Sequence, residues 1–210
     1  MTKLTFSEAL AQLRTLSKEK FDATVEVHIN LNVDRKKVES LRYSVVLPNG
    51  TGRTQKVAVL ASEKIDNADL ELNEQDIEKL EKGTIKPKVD FDVLIAEPRF
   101  MPKLAKAAKV LGPAGVMPNP KNGTVSEDVK KAVDQVKKGR VEVRMEQNVN
   151  IIHTIIGKRS FDDIKLNENY TELISSLKQN KPQKAPLDWV SSIFISTSMS
   201  PSVEVLVENL

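Results

Sequence analysis

The sequence predicts two domains, namely an α+β domain built from both ends of the chain and an inserted three-layer α/β domain of Rossmann-like type. Near the N-terminus, Val25, Val27, Ile29 and Leu31 alternate with polar residues, a pattern typical of a strand with one buried face. Between residues 57 and 139, short apolar runs alternate with helical patterns, which is typical of βαβ units. Amphipathic patterns like those of the N-terminal part return towards the C-terminus, so both ends contribute to one domain.

The first elements are predicted to be a helix and two strands. Leucines recur at helical spacing within residues 7–20, and Ser7 is the expected N-cap. The alternating strand follows over residues 25–31. A second strand is expected over residues 41–47, after a polar connection over residues 34–40.

The middle of the chain reads as strands interleaved with helices. Its predicted elements are a strand over 57–60, a helix from Asn73 that Gly83 ends, a strand over 89–96, a helix over 102–111 and a helix from Ser126 that Gly139 ends. Glycine is the usual residue just past a helix end. These elements favour a parallel sheet with helices on its faces.

The last elements return to the first domain. They are predicted as a strand over 149–156, a helix from Asn167, and strands over 190–196 and 203–207, whereas the strand predicted over 140–146 belongs to the insert. The predicted domains are residues 1–51 with 150–210, and residues 52–149. The chain crosses between them twice, so we expect a hinge at Gly50, Gly52 and Asn148, although a simple hairpin turn at the glycines is the alternative.

Composition narrows the class of protein. The chain has no cysteine, which excludes disulfides, thiolate metal sites and a cysteine nucleophile. No apolar run approaches the ~20 residues of a membrane span, and the first residues lack a signal-peptide pattern, so a cytoplasmic protein without membrane contact is expected. Aromatic residues are only 4% and the net charge is +3, so an RNA partner would be folded RNA recognised by shape.

No catalytic pattern stands out. His28 and His153 lack a neighbouring ligand at metal-binding spacing, and we predict no metal, no cofactor and no enzyme activity. A nucleotide-binding or small-molecule enzyme domain is the alternative for the insert. It requires a glycine-rich turn directly between a strand and a helix, which the sequence lacks.

Five segments resemble the ribosomal protein L1 family, in family order and over nearly the whole chain. Residues 111–124, Leu-Gly-Pro-Ala-Gly-Val-Met-Pro-Asn-Pro-Lys-Asn-Gly-Thr, are similar to its signature loop in the bacterial form. Residues 20–27 resemble its first strand, 47–50 its hinge turn and 157–161 its return strand. Residues 198–201 resemble its Thr-Met-Gly-Pro motif.

This resemblance implies a protein of the large ribosomal subunit that binds a folded rRNA site at the mobile stalk and assists release of deacylated tRNA from the exit site. It also implies partnership with exit-site tRNA and a monomeric free state. The alternative is a translational repressor that binds its own mRNA at an rRNA-like site.

The resemblance also implies an RNA-binding surface. The residues it points to are Lys20, Phe21, Thr24, Glu26, Lys158, Arg159, Ser192, Ser198, Met199 and Ser200. Glu26 would accept hydrogen bonds from ribose 2′-hydroxyls, which separates RNA from DNA. The chain departs from the family pattern with Ser200 in place of a glycine and Ala114 in place of an arginine, and it lacks the basic leading segment common in bacterial members.

Overall fold

A computed structural model describes residues 3–34, 41–65, 67–146 and 149–207. The helices and strands follow along the chain in the order α1 (Phe6–Leu16), β1 (Thr24–Leu31), β2 (Arg42–Val46), β3 (Val57–Leu60), β4 (Leu70–Leu72), α2 (Asp76–Glu81), β5 (Val93–Ala96), α3 (Met101–Leu104), α4 (Ala108–Leu111), α5 (Val129–Lys137), β6 (Arg140–Arg144), β7 (Ile151–Lys158), α6 (Asp163–Gln179), β8 (Val190–Thr197) and β9 (Val203–Val205). The predicted mixture of helices with several sheets is confirmed. No helix in these described ranges is both long enough and apolar enough to cross a membrane.

The chain divides into two compact units. The terminal unit comprises Met1–Gly52 with Gly139–Leu210, and the insert comprises Arg53–Lys138. The predicted second boundary, at residue 149, differs from this division because β6 pairs antiparallel with β2 along its whole length. Strand pairing to residues 42–46 therefore keeps β6 in the terminal unit. We propose the two units as the domains of the protein.

The terminal unit is built on a four-stranded antiparallel sheet in the order β7-β1-β8-β9. Its buried face contributes Val25, Val27 and Ile29 to a core that α1 and α6 complete with residues such as Leu13 and Leu173. Burying a side chain of this size contributes about 1.5–3 kcal/mol. The central position of β1 gives it a hydrogen-bonded neighbour on each side.

The helices of the terminal unit begin earlier than predicted. Thr5, not Ser7, caps α1, because its hydroxyl accepts from the Glu8 N–H while the Glu8 carboxylate accepts from the Thr5 N–H at 2.9 Å. This capping box satisfies two free donors of the first turn. Helix α6 begins at Asp163 instead of Asn167, and the additional turn brings Leu166 into the core.

The insert has three layers around the parallel sheet β4-β3-β5. One face packs against α2, α3 and α4, and the other packs against the valines of α5. Strand β5 starts at Val93 and not at residue 89, because Lys86–Asp90 forms a turn in which the Asp90 carboxylate accepts from the Lys86 N–H at 2.7 Å. The three-residue strand β4 was not predicted, and α2 starts at Asp76 instead of Asn73.

The segment at Gly50 is fixed by a buried asparagine. Asn169 on α6 has no exposed surface. Its amide oxygen accepts from the Asn49 N–H at 3.0 Å, and its amide nitrogen donates to the carbonyls of Gly50 at 2.9 Å and Ile156 at 2.7 Å. All three partners are backbone groups, so one side chain satisfies polar atoms of two separate segments.

Two of the three predicted hinge residues, Gly50 and Gly52, are glycines in unusual conformations. Gly50 and Gly52 have φ of 67° and 71°, values that strain other residues. Gly139 has φ of 99°, and a Cβ atom built on it would lie 2.4 Å from the Cα of Gly50. The backbones thus approach each other too closely for a side chain. Asn148 lies outside the described residues, and the hinge stays a prediction.

Candidate nucleic-acid interface

The exposed face of β1 carries a row of polar side chains. Thr24, Glu26, His28 and Asn30 are half-buried there, whereas the residues between them are buried. We call these four residues the polar row. Because β1 lies between β7 and β8, side chains from both neighbouring strands flank the row, as cross-strand neighbours on one face do.

Hydrogen bonds connect the polar row to its flanking strands. The Asn30 amide donates to the Ser192 hydroxyl at 2.8 Å. His28 Nε2 lies 2.9 Å from the Ser196 hydroxyl, and its Nδ1 lies 2.7 Å from Nδ1 of His153 on β7. Glu26 Oε2 is 3.9 Å from His28 Nε2. The middle of the sheet is therefore a connected polar surface.

The start of β1 meets residues from the far end of the chain. The Thr24 N–H donates to the Ser198 hydroxyl at 3.2 Å, and the Ser198 N–H donates to the Thr24 carbonyl at 3.2 Å. The Lys158 ammonium donates to the Thr24 hydroxyl at 2.9 Å and to the Asp22 carbonyl at 3.3 Å. Thr24 thus contacts two further residues that the sequence predicted for the surface, Ser198 and Lys158.

Arg159 is held at the same end by Glu19. Its guanidinium donates to the Glu19 carbonyl at 2.8 Å and lies 3.7 Å from the Glu19 carboxylate. The Thr197 hydroxyl donates to that carboxylate at 2.5 Å and, as the largest influence, lowers the pKa of Glu19. The residues at this end, which we call the strand-end cluster, are Glu19, Thr24, Lys158, Arg159, Thr197 and Ser198.

Two large apolar side chains are exposed on the segments that adjoin the strand-end cluster. Phe21 is 55% exposed and Met199 is 75% exposed, although apolar side chains of this size are usually covered. Phe21 precedes β1 and Met199 follows β8 in the turn after Ser198. Lys20, next to Phe21, is also exposed. Phe21 and Met199 thus add exposed apolar surface to the segments next to the strand-end cluster.

Ser200 has a local role in the turn after β8. Its hydroxyl accepts from the Thr197 N–H at 2.9 Å and donates to the Pro201 carbonyl at 3.0 Å. Such serine bonds to nearby backbone stabilise tight turns. The side chain that departs from the family pattern is therefore used to close the turn that presents Met199.

Ser192 lies away from the other predicted residues. It stands six residues before Ser198 on β8, which corresponds to ~20 Å along an extended strand. It contacts Asn30, the last member of the polar row. Ser192 thus stands apart from the predicted residues at the start of β1. Glu26, which is itself predicted, and His28 lie between them on the same sheet face.

Sequence reasoning missed several residues of this surface. His28 and Asn30 share the alternation of Glu26, so that pattern could have indicated them. His153 is placed by the register between β1 and β7, in which it pairs with His28, and no local signal reveals that register. No cluster of three or more His, Cys, Asp or Glu residues able to hold a metal ion occurs among the described residues.

The stability of the protein is expected to fall in mild acid through His28. Burial and the neighbouring His153 lower the pKa of His28, against a smaller opposing influence of Glu26. Since the unfolded chain then binds a proton more readily, near pH 6.5, the free energy of unfolding decreases as pH falls below that value. Melting temperatures at pH 7.5 and 5.5 should differ more for the wild type than for His28→Asn. An equal difference would show that His28 makes no contribution.

Comparison with known proteins gives the class and the family. A family model described as Ribosomal protein L1p/L10e family matches residues 13–201. Similar proteins include the large ribosomal subunit protein uL1 of Mesoplasma florum, 46% identical over 204 residues that cover 94% of this chain and 88% of that protein. The uL1 protein of Mycoplasma capricolum is 44% identical over 205 residues, which cover 95% of this chain and 89% of that protein. The uL1 protein of Prochlorococcus marinus is 41% identical over 210 residues, which cover 97% of this chain and 87% of that protein.

The fold and the matches define a ribosomal protein. The chain belongs to the Ribosomal protein L1p/L10e family, because the match includes residues 13–201 of 210. The resemblance predicted from the five motifs is confirmed, and so are a place on the ribosome and the assignment as a ribosomal protein instead of an enzyme. The individual site residues stay predictions.

Proposed function

We propose that this protein is a constituent of the large ribosomal subunit that binds a folded rRNA site of the mobile stalk. The proposed surface consists of the polar row, the strand-end cluster, Lys20, Phe21, Ser192, Met199 and Ser200. The observation that supports it best is the hydrogen bond between Thr24 and Ser198, which lie 174 residues apart in sequence. It brings polar residues from both ends of the chain together at one exposed sheet face.

The chemistry of this surface suits an RNA backbone. Lys20 and Lys158 offer positive charge to phosphates, and Ser192 and Ser198 offer hydroxyls that both donate and accept. Glu26 supplies an acceptor for ribose 2′-hydroxyls, which DNA lacks. Arg159 has less freedom than Lys20, since Glu19 holds its guanidinium.

Two finer roles follow from the family resemblance alone. One is assistance in releasing deacylated tRNA from the exit site, and the other is repression of the protein's own mRNA at an rRNA-like site. Both would use the same surface, so a competition experiment between the rRNA and mRNA sites can rank them. Co-sedimentation with large subunits would favour the ribosomal role.

Binding to a stalk-derived rRNA fragment tests the proposal. Glu26→Ala and Met199→Ala should each weaken binding about tenfold, since one lost hydrogen bond or one lost buried contact is worth about 1.4 kcal/mol. The fold should persist, because Met199 is exposed and Glu26 is half-buried. Titrations over a salt series give the affinity and, from the slope, the number of phosphates engaged.

Two matched controls separate this surface from general effects. Glu172→Ala removes an exposed carboxylate of α6, and Leu187→Ala removes an apolar side chain that is 90% exposed. Both residues belong to the terminal unit, and neither is in the proposed surface. Wild-type affinity for Glu26→Ala and Met199→Ala alike would contradict the proposed site.

A further inference from the structure

The two histidines of the chain face each other on the exposed sheet face. His28 on β1 and His153 on β7 are direct register partners. Their Nδ1 atoms are 2.7 Å apart, and the rings meet edge-on with an interplanar angle of 69°. This distance is that of a hydrogen bond between two imidazoles.

Such a bond limits the protons that the pair can hold. One Nδ1 must carry the proton and the other must present its lone pair. The pair can therefore be neutral or carry one additional proton while the bond persists. A second additional proton places N–H groups on both sides and breaks the bond.

The surroundings of His28 indicate which ring donates in this hydrogen bond. His28 Nε2 lies within hydrogen-bond distance of the Ser196 hydroxyl and 3.9 Å from the Glu26 carboxylate, so it is suited to carry the N–H of a neutral ring. His28 then presents its lone pair at Nδ1 to the N–H of His153. Because His153 is exposed, it is the ring of the pair that solvent and ligands can reach.

The pair lies between the two groups of proposed RNA contacts. Glu26 precedes His28 in the polar row, and Asn30 with its partner Ser192 follows. An RNA backbone that runs from Lys158 at the end of β7 to Ser192 on β8 crosses β1 near His28, and His153 lies beside His28 on β7. On the side of β8, the residues across from the row are Ser192, Phe194 and Ser196, which carry no positive charge.

We propose that the His28–His153 pair is a proton-binding contact for an RNA phosphate in the middle of the interface. The inference rests on the proposed RNA-binding function. A phosphate beside the pair favours its singly protonated form, so RNA binding takes up a proton and becomes tighter as the pH falls towards 6.

The other charged groups near the pair, within the part of the chain that the structure describes, are few. Glu26 on β1 faces His28, Glu204 on β9 pairs with Phe194 at the far side of β8, and Lys158 stands at the end of β7. The helices of the unit pack on the opposite face. Because the chain has only two histidines, replacing both removes every side chain whose ordinary pKa lies between 5 and 8.

The test is the affinity for the stalk-derived rRNA fragment at fixed ionic strength between pH 8 and 5.5. Over this range, the wild type should gain about tenfold more affinity than the double variant His28→Asn, His153→Asn. A tenfold gain corresponds to a protonation midpoint of the pair that lies about one pH unit higher in the RNA complex than in the free protein. Each pH profile is taken relative to that protein's own affinity at pH 8, because His28 belongs to the polar row of the proposed surface. Glu172→Ala, which keeps both histidines and lies outside the proposed surface, should retain the pH dependence.

Calorimetry in two buffers of different ionisation enthalpy supplies an independent readout. The wild type should take up a fraction of a proton on binding near pH 6.5, and the double variant should take up none. Identical pH profiles for the two proteins would overturn this inference while leaving the RNA-binding function intact. Failure of the wild type to bind at any pH would instead overturn the proposed function, and the inference with it.

Discussion

Asn169→Ala is expected to lower the free energy of unfolding of the terminal unit by about 4 kcal/mol. The side chain is fully buried and bonds three backbone groups, those of Asn49, Gly50 and Ile156. Each buried backbone group that loses its partner costs about 1–3 kcal/mol. Water that enters the vacated space can satisfy part of this loss, which keeps the total below the sum of the largest values.

Trp189 provides the measurement. It is the one tryptophan of the chain and is fully buried in the terminal unit, so its fluorescence during denaturant titration reports that unit. Asn167→Ala is the matched control, because Asn167 lies on the exposed side of the same helix and should change stability by no more than about 0.5 kcal/mol. Equal losses in the two variants would contradict the role assigned to Asn169.

Gly139→Ala is expected to destabilise the same unit by about 3 kcal/mol. A positive φ costs a residue with a Cβ atom about 1–2 kcal/mol, and the new methyl group would meet backbone atoms of Gly50 and Thr51 at 2.4–3.1 Å. Backbone cannot move aside as a flexible side chain can, so crowding adds about 1–3 kcal/mol.

Gly83→Ala separates the two causes. Gly83 has φ of 72°, and a Cβ atom built on it would meet no described atom within 4 Å, so it retains the conformational cost alone, about 1 kcal/mol. Because Gly83 belongs to the insert, the stability that Gly83→Ala removes is measured by circular dichroism. The unfolding transition reported by Trp189 fluorescence should occur at the same denaturant concentration as in the wild type. If Gly139→Ala lowered the free energy of unfolding by no more than Gly83→Ala does, the backbone near Gly50 would have to accommodate the new methyl group without an energetic penalty.

Much of the terminal unit could be predicted from local pattern. The alternation over Val25–Leu31 indicated a strand with one buried and one polar face, as the structure has it. Leu10 and Leu13 of α1, and the valines of α5 in the insert, are likewise buried as predicted, whereas Leu16 at the end of α1 is exposed. These features depend on periodicity, which a short segment contains in full.

The remaining features depend on partners far away in sequence. The pairing of β6 with β2 moves a domain boundary, and it is decided by residues about 100 positions earlier. Asn169 is polar at a helical position that turns inward, and only the backbone at Asn49 and Gly50 explains its burial. By contrast, the Thr5 cap had a local signal, because Glu8 three residues later completes a capping box.

The candidate site shows the same division. The polar row was visible as alternate residues of one strand, but its connection to His153, Ser192 and Ser196 requires the register of two further strands. Likewise, the tie between Arg159 and Glu19 joins residues 140 positions apart. Sequence indicated which face was polar, and the fold decides what stands beside it.

The pairing of β1 with both β7 and β8 has a consequence for synthesis. Chains emerge from the ribosome at about 5–20 residues per second, and domains fold as they become complete. All of the insert, Arg53–Lys138, is made before β7, whereas β1 must wait for β8 and Leu4 must wait for its bridge to Val205. A nascent chain that stops before residue 190 lacks Ser192, Ser198 and Met199, so only a chain extended past these residues carries the surface proposed for RNA.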